Sequence, residues 1–427
     1  MLMKNRILKL LAQRAWRLGE ILFRDRNPKS LDSFLDRDIG AYAIANISRK
    51  EKLDGHAVAV KRAGGQVFNQ EYINSLNLST EGRQLFEVTL HSFLLAISPL
   101  FSRYVNSCAS EIYPWRVAFF FTASTDLNAR VRESFDKREN LVFVDVNVGV
   151  LLRLLHEICA VLHVPNAMLH IAGRFEPLKD EVERAQGKYN VPREGNWLAT
   201  FPNSERLLKV AIDMAVKGAV SVVMHEFGHF HRGHLSYLRE HELIRSGDAL
   251  SEAGEAEEVV LEPSLRRILE LDADESAGGA VSVFWRAREF PAQGPDDSPM
   301  ENFYVSIVLS TIWLFLIIER CELTQGYYSP TWRIQHFLRR FYENLFDNSG
   351  GLDLSDSEHV ANSSVLTGFY FQCDRALERA FGLLGWNAGF STARFHIEAE
   401  TLLGPDSQRL REVAAELRAH FPWVKHY

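Results

Sequence analysis

The sequence predicts an α+β fold that is mostly helical and contains a small β-sheet. Apolar residues recur at helical spacing in residues 81–100 and 207–224, which indicates two long helices. Two runs rich in β-branched and aromatic residues, 116–121 and 141–148, predict strands that precede the second of these helices. Helical patterns also occur near both ends of the chain, so we expect helical additions on either side of a central core.

The chain has 427 residues, which exceeds the length of a usual single domain. We therefore predict three regions: a helical N-terminal region (1–110), a core (111–345) and a helical C-terminal region (346–427). A hydrophobic share of 46% is sufficient for a buried core. Further helices are predicted at 150–162, 371–384 and 407–420, and loops at 185–204, 294–302 and 347–364.

Charge and cysteine content narrow the functional classes. The formal net charge is -7 and no basic, aromatic-rich stretch is present, so we expect no nucleic-acid partner. The four cysteines, Cys108, Cys159, Cys321 and Cys373, are scattered and form no C-x-x-C pair. This pattern is typical of a reducing compartment and argues against a thiolate metal site, so we predict a cytoplasmic protein.

Two segments could contact a membrane. Residues 1–26 form a basic amphipathic pattern that lacks the uninterrupted apolar centre of a cleavable signal. Such a helix can lie on a membrane surface, but docking on its own protein is the preferred interpretation. Residues 303–318 are apolar but shorter than the roughly 20 residues that a spanning helix needs. We expect a buried helix there, with a membrane-associated helix as the alternative.

The most informative motif is an H-E-x-x-H pattern formed by His225, Glu226 and His229. Two imidazoles four residues apart lie on one face of a helix, where both can bind one metal ion through ring nitrogens. Glu226 then lies beside the metal, where a carboxylate can deprotonate a water that the metal activates. The motif predicts a zinc-dependent hydrolase, with a chance match on a structural helix as the alternative.

A third ligand distinguishes the classes of zinc hydrolase. A metzincin would need Gly at position 232 and His at position 235, where this chain has Arg232 and Leu235. Further along, Glu270 and Asp274 are four residues apart and share a helical face. Glu270 is the predicted third ligand, and Asp274 is predicted to accept the N–H of a ligand histidine. The alternative for this run is an acidic, solvated helix face.

Two more histidines follow the motif closely. We predict that His231 is a helix-end or surface histidine, because it does not stand at the metzincin ligand spacing. Gly233 suits the end of the helix that carries the motif. His234 comes directly after this glycine and is a candidate for a role beside the metal.

The paired motifs resemble those of the gluzincin metallopeptidases, and most closely those of the Lit-type phage-exclusion peptidases. In that family a Gly-His pair follows the zinc helix and an L-E-x-D-A-D run supplies the glutamate, and residues 233–234 and 269–274 match these features. Weaker similarities lie in 128–129 and 141–149, before the zinc helix, and in 328–334 after it. The last block departs from the family pattern, because a Tyr-Ser pair stands before the proline where many relatives have a histidine.

The resemblance covers roughly residues 115–340 and implies a mostly helical, zincin-like metallopeptidase core that binds Zn²⁺ and cleaves a protein or peptide substrate. The predicted site residues are, as metal ligands, His225, His229 and Glu270; as catalytic residues, Glu226 and Tyr328; and as supporting residues, Asp274, His234 and Arg333.

The donor that stabilises the oxyanion is an open question at this point. Tyr328 is the preferred candidate, with His234, Arg333 and His336 as alternatives. Tyr328 equally suits a packing role, and Arg333 equally suits an ion pair with an acidic residue near the zinc helix.

Several functional alternatives are also open. The chain is expected to be a selective or regulated endopeptidase, of the host-defence type that the resemblance suggests. The alternative is a gluzincin scaffold that binds zinc and contacts partners without efficient proteolysis. Residues 240–263 are strongly acidic and predict either a solvated connection or a lid that selects basic substrates. Two histidines and a carboxylate also suit iron, although the position of Glu226 favours hydrolysis.

Overall fold

The computed structural model describes residues 42–44, 70–107, 115–133, 140–163, 197–198, 202, 204–244, 249–251 and 261–289, together with single helical residues between 307 and 344 and between 409 and 417. Within these parts the chain is a mostly helical α+β protein, as predicted. The strands are β1 (Tyr42–Ile44), β2 (Arg116–Thr122), β3 (Ala129–Glu133), β4 (Leu141–Asn147) and β5 (Ala249–Ser251). The helices are α1 (Gln70–Ser75), α2 (Thr80–Ser107), α3 (Val148–His163), α4 (Glu205–His231), α5 (His234–Glu240) and α6 (Pro263–Glu289).

The predicted helices at 81–100, 150–162 and 207–224 are confirmed as parts of α2, α3 and α4, and the two predicted strands as β2 and β4. The predictions for 1–26, 294–302, 347–364 and 371–384 lie outside the described residues, as does most of 185–204.

One mixed sheet carries the strands in the order β1-β2-β4-β3-β5. Strands β2 and β4 are parallel, and the remaining pairs are antiparallel. In the central strand β4, Val142, Val144 and Val146 are fully buried, which fits their β-branched side chains. Helix α4 packs against β3 and β4, while β1 and α2, from the first 110 residues, pack on β2 and α4 respectively.

The acidic segment 240–263 is not simply a solvated connection. Its residues 249–251 form β5, which pairs with β3 through Leu250 opposite Val131. Ile244 and Leu261, near its two ends, are buried. The described part of this segment therefore extends the sheet, because a short apolar stretch interrupts the run of charges.

Helices α4 and α6 form the centre of the molecule and approach each other closely. A Cβ atom placed on Gly228 would lie 3.1 Å from the Cβ of Ser276 and 3.2 Å from the carbonyl oxygen of Ala273. Glycine is therefore the residue that lets the H-E-x-x-H turn of α4 contact the 270–276 turn of α6.

The described residues between 307 and 318 are helical and buried, as the preferred interpretation of 303–318 predicts. The hydroxyl oxygen of Thr311 lies 3.2 Å from that of Ser221 on α4. A Cβ atom on Gly218 would lie 3.3 Å from the carbonyl oxygen of Ser310, so this segment lies directly on α4. Among the described residues, no helix combines the length and apolar character needed to cross a membrane.

The structure also describes a helical segment near the C-terminus and one buried cysteine. Helical residues between 409 and 417, within the predicted helix at 407–420, pack near α5, where His241 Nε2 lies 2.8 Å from Glu416 Oε1. Cys159 in α3 is a free, buried thiol whose pKa is raised by burial. The other three cysteines lie outside the described residues.

Candidate metal centre

The end of α4 positions the motif and redirects the chain. The helix ends at His231, and Gly233 follows with φ 79°, a left-handed conformation that glycine adopts without strain. The chain then enters α5, so the predicted helix end is confirmed. His231 does end the helix but is buried and stacks on Phe227 with ring centroids 5.5 Å apart. Of the two predicted positions for His231, the helix end is confirmed and the surface position is not, since residues 214–231 of α4 are all buried.

The three predicted metal ligands lie together. His225 Nε2 is 3.1 Å from His229 Nε2 and 3.2 Å from Glu270 Oε2. His229 Nε2 is 3.6 Å from Glu270 Oε1. All three side chains are buried, and one ligand atom from each lies within 4.8 Å of the others. The group can therefore hold a metal ion between α4 and α6.

Asp274 and Arg333 hold the first imidazole. Asp274 Oδ1 lies 2.8 Å from His225 Nδ1. Arg333 binds the same carboxylate through Nε at 2.8 Å and Nη2 at 3.1 Å, and its Nη2 also donates to Glu270 Oε2 at 3.3 Å. The negative charge of this carboxylate favours the tautomer that has its hydrogen on His225 Nδ1. In the neutral ring, Nε2 then presents its lone pair to the metal site.

The second imidazole contacts another histidine. His229 Nδ1 lies 2.8 Å from His234 Nδ1, and His234 Nε2 lies 2.9 Å from Asp272 Oδ2. Arg232 donates to both oxygens of Asp272, through Nε at 2.9 Å and Nη2 at 2.7 Å. Asp272 and Arg232 had no functional role in the sequence analysis. Asp272 is two residues from Glu270 and so points away from the ligand face of an isolated helix.

The candidate oxyanion donors have different surroundings. Both ring nitrogens of His234 are engaged, and Arg333 binds two carboxylates while its guanidinium lies 5.0 Å from the ring centroid of Phe315. This arrangement matches the structural ion pair that was the alternative for Arg333. His336 Nδ1 lies 3.5 Å from Glu275 Oε1, and burial lowers the pKa of His336. Tyr328 lies outside the described residues.

Burial and neighbouring charges set the protonation of the ligands. Burial lowers the pKa of His229 well below its usual range, so the ring is neutral at pH 7. Burial alone would raise the pKa of Glu270, but the two histidines and Arg333 lower it below its usual range. Arg333, whose Nη2 lies 3.3 Å from Glu270 Oε2, adds a fixed positive charge to this effect.

The charge of the centre fits a divalent cation. Glu226, Glu270 and Asp274 are almost completely buried, and Arg333 contacts both Glu270 and Asp274. The Glu270 carboxylate is ionised at pH 7, because its pKa lies below the usual range. Such charges are costly unless they are compensated. Two neutral imidazoles and a carboxylate form a donor set that suits Zn²⁺.

Comparisons of the chain with protein-family models, with curated proteins and with solved structures find no match. The resemblance to the Lit-type peptidases and the zincin-like fold therefore stay predictions, and function has to be inferred from the site.

Proposed function

We propose that this chain is a zinc-dependent endopeptidase with a zincin-like core, which hydrolyses peptide bonds of a protein substrate. The convergence of His225, His229 and Glu270 carries this proposal. Two histidines and one glutamate are a ligand set typical of catalytic zinc, since they leave a coordination position open. When bound, zinc polarises a carbonyl group and makes water more acidic.

Glu226 acts as the general base. It adjoins His225 in the motif, and its side chain is 1% exposed. It accepts the proton of the attacking water and then passes this proton to the amine of the leaving product. The buried surroundings strengthen the electrostatic interactions of the Glu226 carboxylate with the reacting groups, because charges interact more strongly where water is excluded.

The remaining residues orient these groups. Arg333 and Asp274 keep Glu270 and His225 in place through the ion pairs described above. Tyr328 is the proposed oxyanion donor, because it stands in the block that resembles the family pattern and its phenol can donate. The substrate is one protein or a small set of proteins, in line with the host-defence peptidases that the sequence resembles.

The test compares new protein N-termini across the proteome of cells that express the wild-type chain, Glu226→Gln or Glu240→Gln. Glu240 is the matched control, because it is exposed at the end of α5. We expect one or a few new N-termini with the wild type and with Glu240→Gln. Glu226→Gln should give none and should still bind one zinc ion per chain, because Glu226 is not a ligand.

Two outcomes would contradict the proposal. Equal cleavage by Glu226→Gln and the wild type would remove Glu226 from the mechanism. Zinc binding without new N-termini in any of the three cell lines would favour the alternative of a scaffold that acts by contacting partners.

A further inference from the structure

The contacts of His229 and His234 restrict where their ring hydrogens lie. The two Nδ1 atoms are 2.8 Å apart, a contact that accommodates one hydrogen. The side chain of His234 is 0% exposed, so water does not replace either partner. At the other end of the ring, Asp272 Oδ2 lies 2.9 Å from His234 Nε2.

The shared hydrogen can lie on Nδ1 of His229 or on Nδ1 of His234, and Asp272 decides between these two arrangements. Arg232 donates to both of its oxygens, through Nε at 2.9 Å and Nη2 at 2.7 Å, so each oxygen of Asp272 accepts a hydrogen bond. The oxygen that faces His234 is thus an acceptor, and His234 Nε2 carries the hydrogen. In the neutral ring, His234 Nδ1 is then an acceptor and His229 Nδ1 must donate to it. His229 Nε2 is left with its lone pair toward Glu270 and His225.

Helix α6 thus orients both imidazoles, by two different routes. Asp274 contacts His225 directly, whereas Asp272 reaches His229 through His234. Arg232 donates to both oxygens of Asp272, so the orientation of this carboxylate is held as well. If His234 were absent, Asp272 would have no route to His229 among these contacts, because the imidazole of His234 separates them.

We propose that His234 is a positioning residue that transmits the hydrogen-bonding preference of Asp272 to His229 and thereby fixes the tautomer in which His229 Nε2 can bind a metal. Second partners of ligand histidines commonly raise metal affinity by about 10–100-fold. The inference rests on the proposed metal site, but it does not depend on the peptidase activity.

The first test reads the tautomer of His229 directly. Nitrogen-15 spectra of histidine-labelled, zinc-free protein distinguish a hydrogen on Nδ1 from one on Nε2, and the loss of a signal in His229→Gln assigns the resonance. We expect the hydrogen on Nδ1 in the wild type. In Asp272→Asn, whose amide can also donate, we expect part of the population to move to Nε2. A hydrogen on Nε2 in the wild type, or the same distribution in both chains, would overturn the proposal.

The second test measures zinc affinity by competition with a chromophoric chelator. His234→Phe should weaken zinc binding by about 10–100-fold, and His234→Gln should recover part of this loss because its carbonyl oxygen can accept from His229. His231→Phe is the matched control, a buried histidine of α4 that stacks on Phe227. Equal affinities for His234→Phe and His231→Phe would contradict the proposal.

The two tests also separate this inference from the proposed function. The tautomer is read without metal or substrate, so it stands even if no peptide bond is cleaved. If His234→Phe does not fold, the wild-type and Asp272→Asn spectra decide the question by themselves.

Discussion

Two arginines at the metal centre each bind buried or partly buried carboxylates. Arg333 binds Asp274 and Glu270, and Arg232 binds Asp272. Removing one partner of a buried ion pair costs about 3–5 kcal/mol, because the remaining charge loses its compensation. Loss of either arginine would therefore destabilise the protein even without its metal, and would also release the groups that it orients around the ligands.

The buried side chain of His91 makes the stability of the protein depend on pH. Burial in α2 lowers the pKa of His91 from 6.5 to about 4. Between these values the unfolded chain binds a proton that the folded chain does not, so stability is complete above pH 6.5 and falls as the pH approaches 4. Since one pKa unit corresponds to about 1.4 kcal/mol, His91→Gln should reduce this loss by about 3 kcal/mol.

The measurement is the free energy of urea unfolding between pH 7 and 4, with a chelator present so that the pH dependence of metal binding does not contribute. The wild type and His91→Gln should lose stability to different extents over this range. Parallel curves for the two chains would assign the pH dependence to other groups.

Close approaches at glycines determine how the helices pack. Gly228 lets α4 contact α6, and Gly278 lets α6 contact the backbone of Phe337. Phe337 is four residues after Arg333, so the position of this backbone also affects the arginine that binds Asp274 and Glu270. Packing at Gly278 is thereby coupled to the geometry of the ligands, although this glycine is not itself part of the ligand set.

Two adjacent glycines of α6, Gly278 and Gly279, allow a matched comparison of how an added Cβ atom affects helix packing. A Cβ on Gly278 would overlap the carbonyl oxygen of Phe337, which belongs to the backbone and cannot rotate away. We expect Gly278→Ala to destabilise the protein by about 1–3 kcal/mol, as overpacking does, and to weaken zinc binding.

Gly279→Ala is the control for this prediction. Its Cβ would lie 2.7 Å from Nδ2 of Asn344, the end of a flexible side chain. Alanine also favours the helix by up to about 1 kcal/mol, so we expect little net change. Thermal unfolding and zinc titration of both variants check the difference, and equal stabilities would show that the segment near Phe337 moves freely.

In the molecule as a whole, the metal centre joins two helices that are distant in the sequence. Helix α4 contributes two ligands and also packs on the sheet, while α6 contributes the third ligand and contacts the segment that carries Arg333. A metal bound there would connect α4, which packs on the sheet, to α6, which contacts the segment that carries Arg333. Binding to the folded state alone stabilises that state.

Zinc should therefore raise the unfolding temperature. At a free zinc concentration about 1,000 times Kd, the folded state gains about 4 kcal/mol. The expected increase relative to chelated protein is several degrees, and Glu226→Gln should retain it because the ligands are intact. His229→Gln should lose it. An equal increase in His229→Gln, measured by scanning calorimetry, would place the zinc at another of the 15 histidines.

Sequence patterns determined the features of this protein that depend on neighbours within a few turns. The 3.6-residue periodicity predicted α2, α3 and α4, and runs rich in β-branched and aromatic residues predicted β2 and β4. The four-residue spacings of His225 with His229 and of Glu270 with Asp274 placed each pair on one helical face. The apolar run near 307–318 likewise predicted a buried segment.

Tertiary packing determines which of these faces meet and what surrounds them. His234 and Asp272 are separated by 38 residues, and Arg333 and Asp274 by 59. Contacts over such distances depend on how α4, α5 and α6 pack, which a close approach at Gly228 and a reversal at Gly233 control. Local periodicity contains no information on these approaches. For that reason the sequence predicted the ligands, whereas the partners that orient His229, the burial of His231 and the strand β5 emerged only from the folded chain.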